Sequence, residues 1–230
     1  MDPRVRDHAD VIVSHSTGIE NGDRVAVTAP PVAEDLAVAV YERLAEEGAT
    51  PVMLYGGDTS LGADRAARAY LREADEFENP DHLQALFEET DATIRIRGHD
   101  NVAERADVDD EQNAAYQRAI QPARTELLST QWCLTQYPTP ADAQLAGMST
   151  GEYEEFVWNA VNKDWEAQRE HQSQMVEILD PADEVRIRSG DETDLTMSVS
   201  GMKTLNDHGE HNLPGGEVFT APVPDSVEGT

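Results

Sequence analysis

The sequence predicts an α/β fold: an N-terminal three-layer α/β/α domain with a largely parallel sheet, followed by the start of a mostly antiparallel domain. Two observations carry this. Short apolar runs alternate with helix-period segments through most of the chain, joined by short connections. After Asp180-Pro181-Ala182-Asp183 the apolar period changes from helical to alternating, the pattern of hairpins. The domain assignment is therefore residues 1–181 for the α/β part and 182–230 for the beginning of the second.

The elements follow in order. An amphipathic helix is expected over Val5 to Ser16, then a turn at Asn21-Gly22 and a strand over Arg24–Thr28. Pro30 and Pro31 open a helix that places Val32, Leu36, Val40 and Leu44 on one face, and Gly48 closes it. Pro51–Tyr55 is the next strand, so the pair forms a right-handed βαβ unit with parallel strands. Helices are expected over Ala63–Arg72 and Asp81–Phe87, then an apolar strand over Ala92–Ile96. Residues 98–112 are polar and acidic, a surface segment. Helix 113–126, strand 127–135 and one long helix from Gly151 to Leu179 complete the first part. That helix would bury a stripe containing Phe156, Val157, Val161, Trp165 and Met175. Beyond it, Val185–Arg188 and Leu195–Ser200 form a hairpin about Ser189–Glu192, and Glu217–Thr220 forms a short strand with no partner after it.

Of 230 residues, 46 are acidic and 17 are Lys or Arg, giving a net charge of −29. A surface this negative repels phosphate backbones and anionic headgroups, so neither nucleic acid nor membrane is an expected partner. Disorder is excluded because the acidic residues are interleaved with apolar periods rather than gathered into tails. Only Lys163 and Lys203 are lysines. An acid-rich, lysine-poor, haloarchaeal-like surface suits a cytoplasm of high ionic strength, where self-repulsion is screened. No leader or transmembrane run is visible, so a soluble cytoplasmic protein is expected. Cys133 is the single cysteine, which rules out an internal disulfide and a cysteine zinc site and suits a small core residue.

Three motifs invite chemistry. Gly147-Met-Ser-Thr-Gly151 has the G-x-S-x-G spacing of a serine-hydrolase elbow, but that turn needs a strand before the serine and Ala141–Ala146 looks helical. Ser149 followed by Glu152 ahead of an apolar run is a capping box, and Ser149 is assigned as the helix N-cap. Gly57 and Gly62 have phosphate-loop spacing, but Ala63-Asp64 replaces the Lys-Ser/Thr pair, so a plain turn is the better account. The third motif is Asn206 to Pro222, where Gly215 and Gly216 precede Glu217 at the head of a strand. Two glycines permit close backbone approach and let a strand-end carboxylate be held rigidly, a suitable setting for a metal ligand. A solvated strand-end glutamate is the competing account. His208 and His211 lack helical support for a zinc pair and are assigned to the surface.

This last segment resembles the metallo-aminopeptidase family of aminopeptidase T, aminopeptidase S and aminopeptidase II. The family pattern N-x-P-x-G-E-[VI]-F-T-x-P stands here as Asn212-Leu-Pro-Gly-Gly-Glu-Val-Phe-Thr-Ala-Pro222. Thr193-Asp-Leu-Thr196 with Val199-Ser-Gly201 is similar to another family stretch, as are Pro138-Thr-Pro140, Met148-Ser149 and Glu152–Phe156. The resemblance implies a metal-dependent aminopeptidase whose second, antiparallel domain is catalytic. It implies two divalent ions, zinc or cobalt, with Glu217 as the first ligand, peptide substrates and a homodimer. The other family ligands (a second glutamate, two histidines, an aspartate and a nearby tyrosine) fall beyond Thr230 and have no counterpart here. The chain is accordingly expected to be truncated after its first ligand and inactive alone. The alternative expectation is a non-catalytic α/β module kept for binding or dimerisation.

Overall fold

The computed structural model describes residues 1–56 and 64–229, so the Gly57 and Gly62 spacing lies outside the described residues. The fold is mixed α/β, with a parallel sheet and smaller antiparallel sheets. The chain divides into two units, residues 1–163 with 210–213 and residues 164–209 with 214–230.

The first unit is built on the parallel sheet. Its strands are β1 (Arg24–Ala29), β2 (Thr50–Tyr55), β3 (Ala92–Arg97), β4 (Gln131–Gln136) and the two-residue β8 (Asn212–Leu213), in spatial order β2-β1-β3-β4-β8. All four pairings are parallel. Between β1 and β2 runs α2 (Glu34–Glu47), entered through a 3-10 turn at Pro31–Ala33. Gly48 ends α2 in the left-handed region at φ 79°, as its position in the sequence predicts. Leu36, Val40 and Leu44 are fully buried, so the helical period and the βαβ expectation both hold.

The two sheet faces follow from the period-2 alternation. Val27, Ile94 and Cys133 stand in register on one face, all fully buried. This face meets the opening helix α1 (Pro3–Asp10), which continues as a π-helical turn over Val11–Ser16. Contact is made through His8 and Thr135. On the other face Ala26 packs against Phe87 of α4 (Asp81–Glu88) and Leu127 of α6 (Gln121–Ser129). Helix α3 (Asp64–Glu73) meets α5 (Asp110–Ala119), where Leu71, Tyr116 and Ile120 form a second small cluster. Cys133 is a core residue as expected, and burial pushes its thiol up to about 12.

Two expectations need correction. Residues 113–126 and 127–135 are not one helix and one strand. The chain forms α5, breaks at Ile120 and restarts as α6 with Pro122 in its first turn, where a missing N–H is harmless. Leu127 and Leu128 are apolar because they end an amphipathic helix, and β4 starts four residues later than Leu127. The expected long helix is likewise two helices. After α7 (Pro140–Leu145), α8 (Thr150–Val161) ends at Asn162, whose φ −92° and ψ 67° are not helical. Asp164 then caps α9 (Trp165–Leu179) by accepting from Ala167 N at 2.9 Å. Val157, Val161 and Trp165 are buried, while Phe156 and Met175 are exposed.

The second unit contains α9 and two antiparallel sheets. β5 (Glu184–Ser189) and β6 (Thr193–Ser198) form the expected hairpin, and β10 (Glu228–Gly229) joins β6 on its other edge. β7 (Leu205–Asp207) pairs with β9 (Glu217–Phe219), so the last expected strand finds its partner upstream. No helix among the described residues is long and apolar enough to cross a membrane.

Candidate metal centre

Glu217 owes its position to four neighbours within the second unit. It is the first residue of β9, and its register partner across the ladder is Asp207, the last residue of β7. Directly opposed residues of an antiparallel pair share a face, so Asp207 and Glu217 project from the same side of this small sheet. The ladder is locked from α9: the Gln172 side-chain amide donates to Glu217 O at 2.8 Å and to Asp207 O at 3.0 Å. Gln172 is buried although its helical neighbours are mostly exposed.

The two glycines before Glu217 have separate duties. A Cβ on Gly215 would lie 2.5 Å from Asp207 Oδ1 and 2.6 Å from Gly209 N, so no side chain fits there. Gly216 sits at φ 107°, a conformation disfavoured for residues with a Cβ, and its N–H donates to Asp207 O at 2.7 Å. Asp207 in turn closes its own turn by accepting from Gly209 N at 3.1 Å. The close approach read from the sequence is therefore present, and it fixes the backbone beneath an exposed Glu217 carboxylate.

His208 and His211 are not brought to this carboxylate as a pair. His211 belongs to the first unit, where its ring stacks on Trp132 at 4.5 Å and its Nδ1 donates to Trp132 O at 3.2 Å. It is exposed, as assigned. His208 is 8% exposed and so is buried rather than a surface residue. A glycine-bearing turn looks solvated from sequence alone. Here the turn is drawn tight by the Asp207 carboxyl on Gly209 N, which leaves little of the intervening residue in solvent.

Ser149 is an N-cap and no elbow nucleophile. Its Oγ accepts from Glu152 N at 3.4 Å and donates to Glu152 Oε2 at 2.6 Å, while Ser149 N donates back to Glu152 Oε2 at 3.1 Å. Helix α7 precedes it where a hydrolase would need a strand. Accepting from Ser149 lowers the Glu152 carboxyl below its ordinary value.

A family model described as thermophilic metalloprotease (M29) matches residues 1–230. The chain belongs to this M29 peptidase family. Among solved structures it is similar to wild-type AmpT from Thermus thermophilus, with a TM-score of 0.78 at 24% identity. That likeness covers 99% of this chain and 63% of the AmpT chain, and at this identity it bears on the fold. No curated protein matches.

An M29 metalloprotease calls for a divalent metal. The described residues contain no group of three or more His, Cys, Asp and Glu able to hold one. Glu217 fits a single hard-oxygen ligand on a rigid strand end, and the remaining donors do not complete a centre around it. Sequence reasoning missed Gln172, a polar residue on a helix whose partners are backbone carbonyls 35 and 45 residues away.

Proposed function

We propose that the chain serves a metal-dependent aminopeptidase that removes N-terminal amino acids from peptides, with Glu217 as the first ligand of a two-metal centre. The observation that carries this is Glu217 itself. It is the carboxylate of the family pattern, set at a strand head that Gly215, Gly216 and Gln172 hold in place. A divalent metal bound there, zinc or cobalt, would polarise the scissile carbonyl and lower the pKa of a bound water. This chain's own contribution is to orient one ligand. Gln172 fixes the main chain on either side of the Asp207–Glu217 pair, so the strand head that carries the carboxylate is already in place. One carboxylate is part of one coordination sphere, so the 230-residue chain by itself is inactive. A homodimer completes the reading.

The test uses leucine p-nitroanilide and the protein as isolated from its native cells. Hydrolysis that is lost on chelation, returns with cobalt and falls at least about 100-fold in Glu217→Gln supports the reading. Hydrolysis indifferent to chelation or to Glu217→Gln overturns it. Intact mass decides the alternative: a native product of 25.3 kDa with no hydrolysis leaves a non-catalytic binding or dimerisation module.

A further inference from the structure

The two faces of the β7–β9 ladder differ in what they meet. Asn206 and Val218 are register partners, and Asn206 Nδ2 donates to Arg169 O of α9 at 3.2 Å, so their face is turned to that helix. Successive residues of a strand point to opposite faces. Leu205 and Phe219, also register partners, therefore share the other face with Asp207 and Glu217. On that face Leu205 is 40% exposed, Phe219 is 45% exposed, and Glu217 is exposed as well.

An exposed leucine is ordinary on a protein surface. The position of this pair is what informs. Leu205 and Phe219 each lie two residues along their strand from the Asp207–Glu217 pair, about 7 Å away. The face thus has acidic residues at one end and an apolar cross-strand pair at the other. The spacing is fixed by the same contacts that fix the strand head: the Gln172 amide on Asp207 O and Glu217 O, and Gly216 N on Asp207 O.

The first residue of a peptide has the matching form, a free ammonium and a side chain on one carbon. The ammonium suits the acidic end of the face. The side chain leaves from the carbon next to the scissile carbonyl, and a leucine side chain extends about 5 Å from that carbonyl. A carbonyl held at Glu217 therefore brings the first side chain of the peptide onto Leu205 and Phe219.

We infer that Leu205 and Phe219 form the platform for the first side chain of the substrate, so that the peptidase prefers large apolar amino-terminal residues. The inference rests on the reading of Glu217 as a metal ligand and adds to it the residues that select the substrate.

The experiment compares leucine and alanine p-nitroanilides, using the protein as isolated from its native cells and its Leu205→Ala, Phe219→Ala and Phe219→Leu variants. The parent should favour leucine over alanine at least about tenfold in kcat/KM, the scale on which a pocket senses methylene groups. Leu205→Ala and Phe219→Ala should each lower that ratio at least about threefold, through loss on the leucine substrate alone. Phe219→Leu keeps an apolar side chain and should keep most of the ratio. Circular dichroism checks that each variant folds, and calorimetric titration with free leucine and free alanine reads the same preference without turnover. A ratio unchanged in both alanine variants overturns the inference. So does an equal fall on both substrates, which marks a structural role. Failure of the peptidase reading looks different: Glu217→Gln then leaves hydrolysis of both substrates untouched, or the parent hydrolyses neither. Even then, leucine bound no more tightly than alanine overturns the platform.

Discussion

His8 Nε2 lies 2.8 Å from Thr135 Oγ1, and Thr135 Oγ1 donates its single proton to Leu213 O at 3.1 Å. The hydroxyl must therefore accept from His8, which fixes the neutral Nε2–H tautomer. His8 Nδ1 has no partner, Trp158 meets the ring edge-on at 5.7 Å, and the imidazole is fully buried. Helix α1, β4 and β8 are thus joined through one neutral histidine.

Burial pushes His8 down from its ordinary value of 6.5 to about 3. Between those values the unfolded chain takes up a proton that the folded one refuses, so the group costs stability as pH falls. Below pH 6.5 the loss is about 1.4 kcal/mol per pH unit, and above it His8 contributes no pH dependence. His8→Gln keeps a donor near Thr135 and cannot titrate. Urea unfolding at pH 7 and pH 5 should show a smaller difference in the variant than in the parent. Equal differences would mean that His8 is not buried neutral.

Gln172→Leu should loosen β9 without touching the Glu217 side chain. It removes two hydrogen bonds to Asp207 O and Glu217 O and costs about 1–2 kcal/mol, with the loss of an unpartnered Oε1 offsetting part of it. Hydrogen exchange at Val218 should quicken while β5 and β6 are unchanged. Unchanged exchange at β9 would show that the β7 ladder suffices.

Ser149→Ala should cost about 1 kcal/mol through loss of the cap on α8, or about 2–4 °C in melting temperature. A fluorophosphonate should label neither the parent nor the variant at residue 149. Labelling of Ser149 would restore the nucleophile account.

What the sequence reveals and conceals has a physical division. The βαβ unit is legible because Leu36, Val40 and Leu44 repeat at helical spacing between two short apolar runs. The capping box at Ser149 and the crowding at Gly215 were legible because both are local. The break at Asn162–Asp164 was hidden because the apolar period continues across it, and only the dihedral at Asn162 interrupts the helix. Leu127 and Leu128 look equally like the start of a strand and the end of an amphipathic helix. His8 and Gln172 are hidden for one reason: each is a polar residue at an ordinary position whose partners are supplied by distant segments. Thr135 is 127 residues from His8.

The shortage of cations sets the last expectation. Arg43 serves Asp10 at 3.0 Å, Glu46 at 2.7 Å and Glu47 at 2.6 Å, and Arg24 serves Glu89 at 2.6 Å and Asp91 at 2.9 Å. Arg24 holds the Asp91 carboxyl down at about 2, so Asp91 stays charged through the neutral range. Added salt weakens such exposed pairs, which are each worth little, and also screens repulsion among the many acids that have no arginine. With 46 acidic residues against 17 Lys and Arg, the repulsion is the larger effect. Melting temperature should therefore rise from dilute buffer to molar KCl, where the Debye length is about 3 Å. NaCl should act as KCl does, since screening depends on ionic strength. An equal melting temperature in dilute buffer and molar KCl would show that the acidic surface carries no net strain.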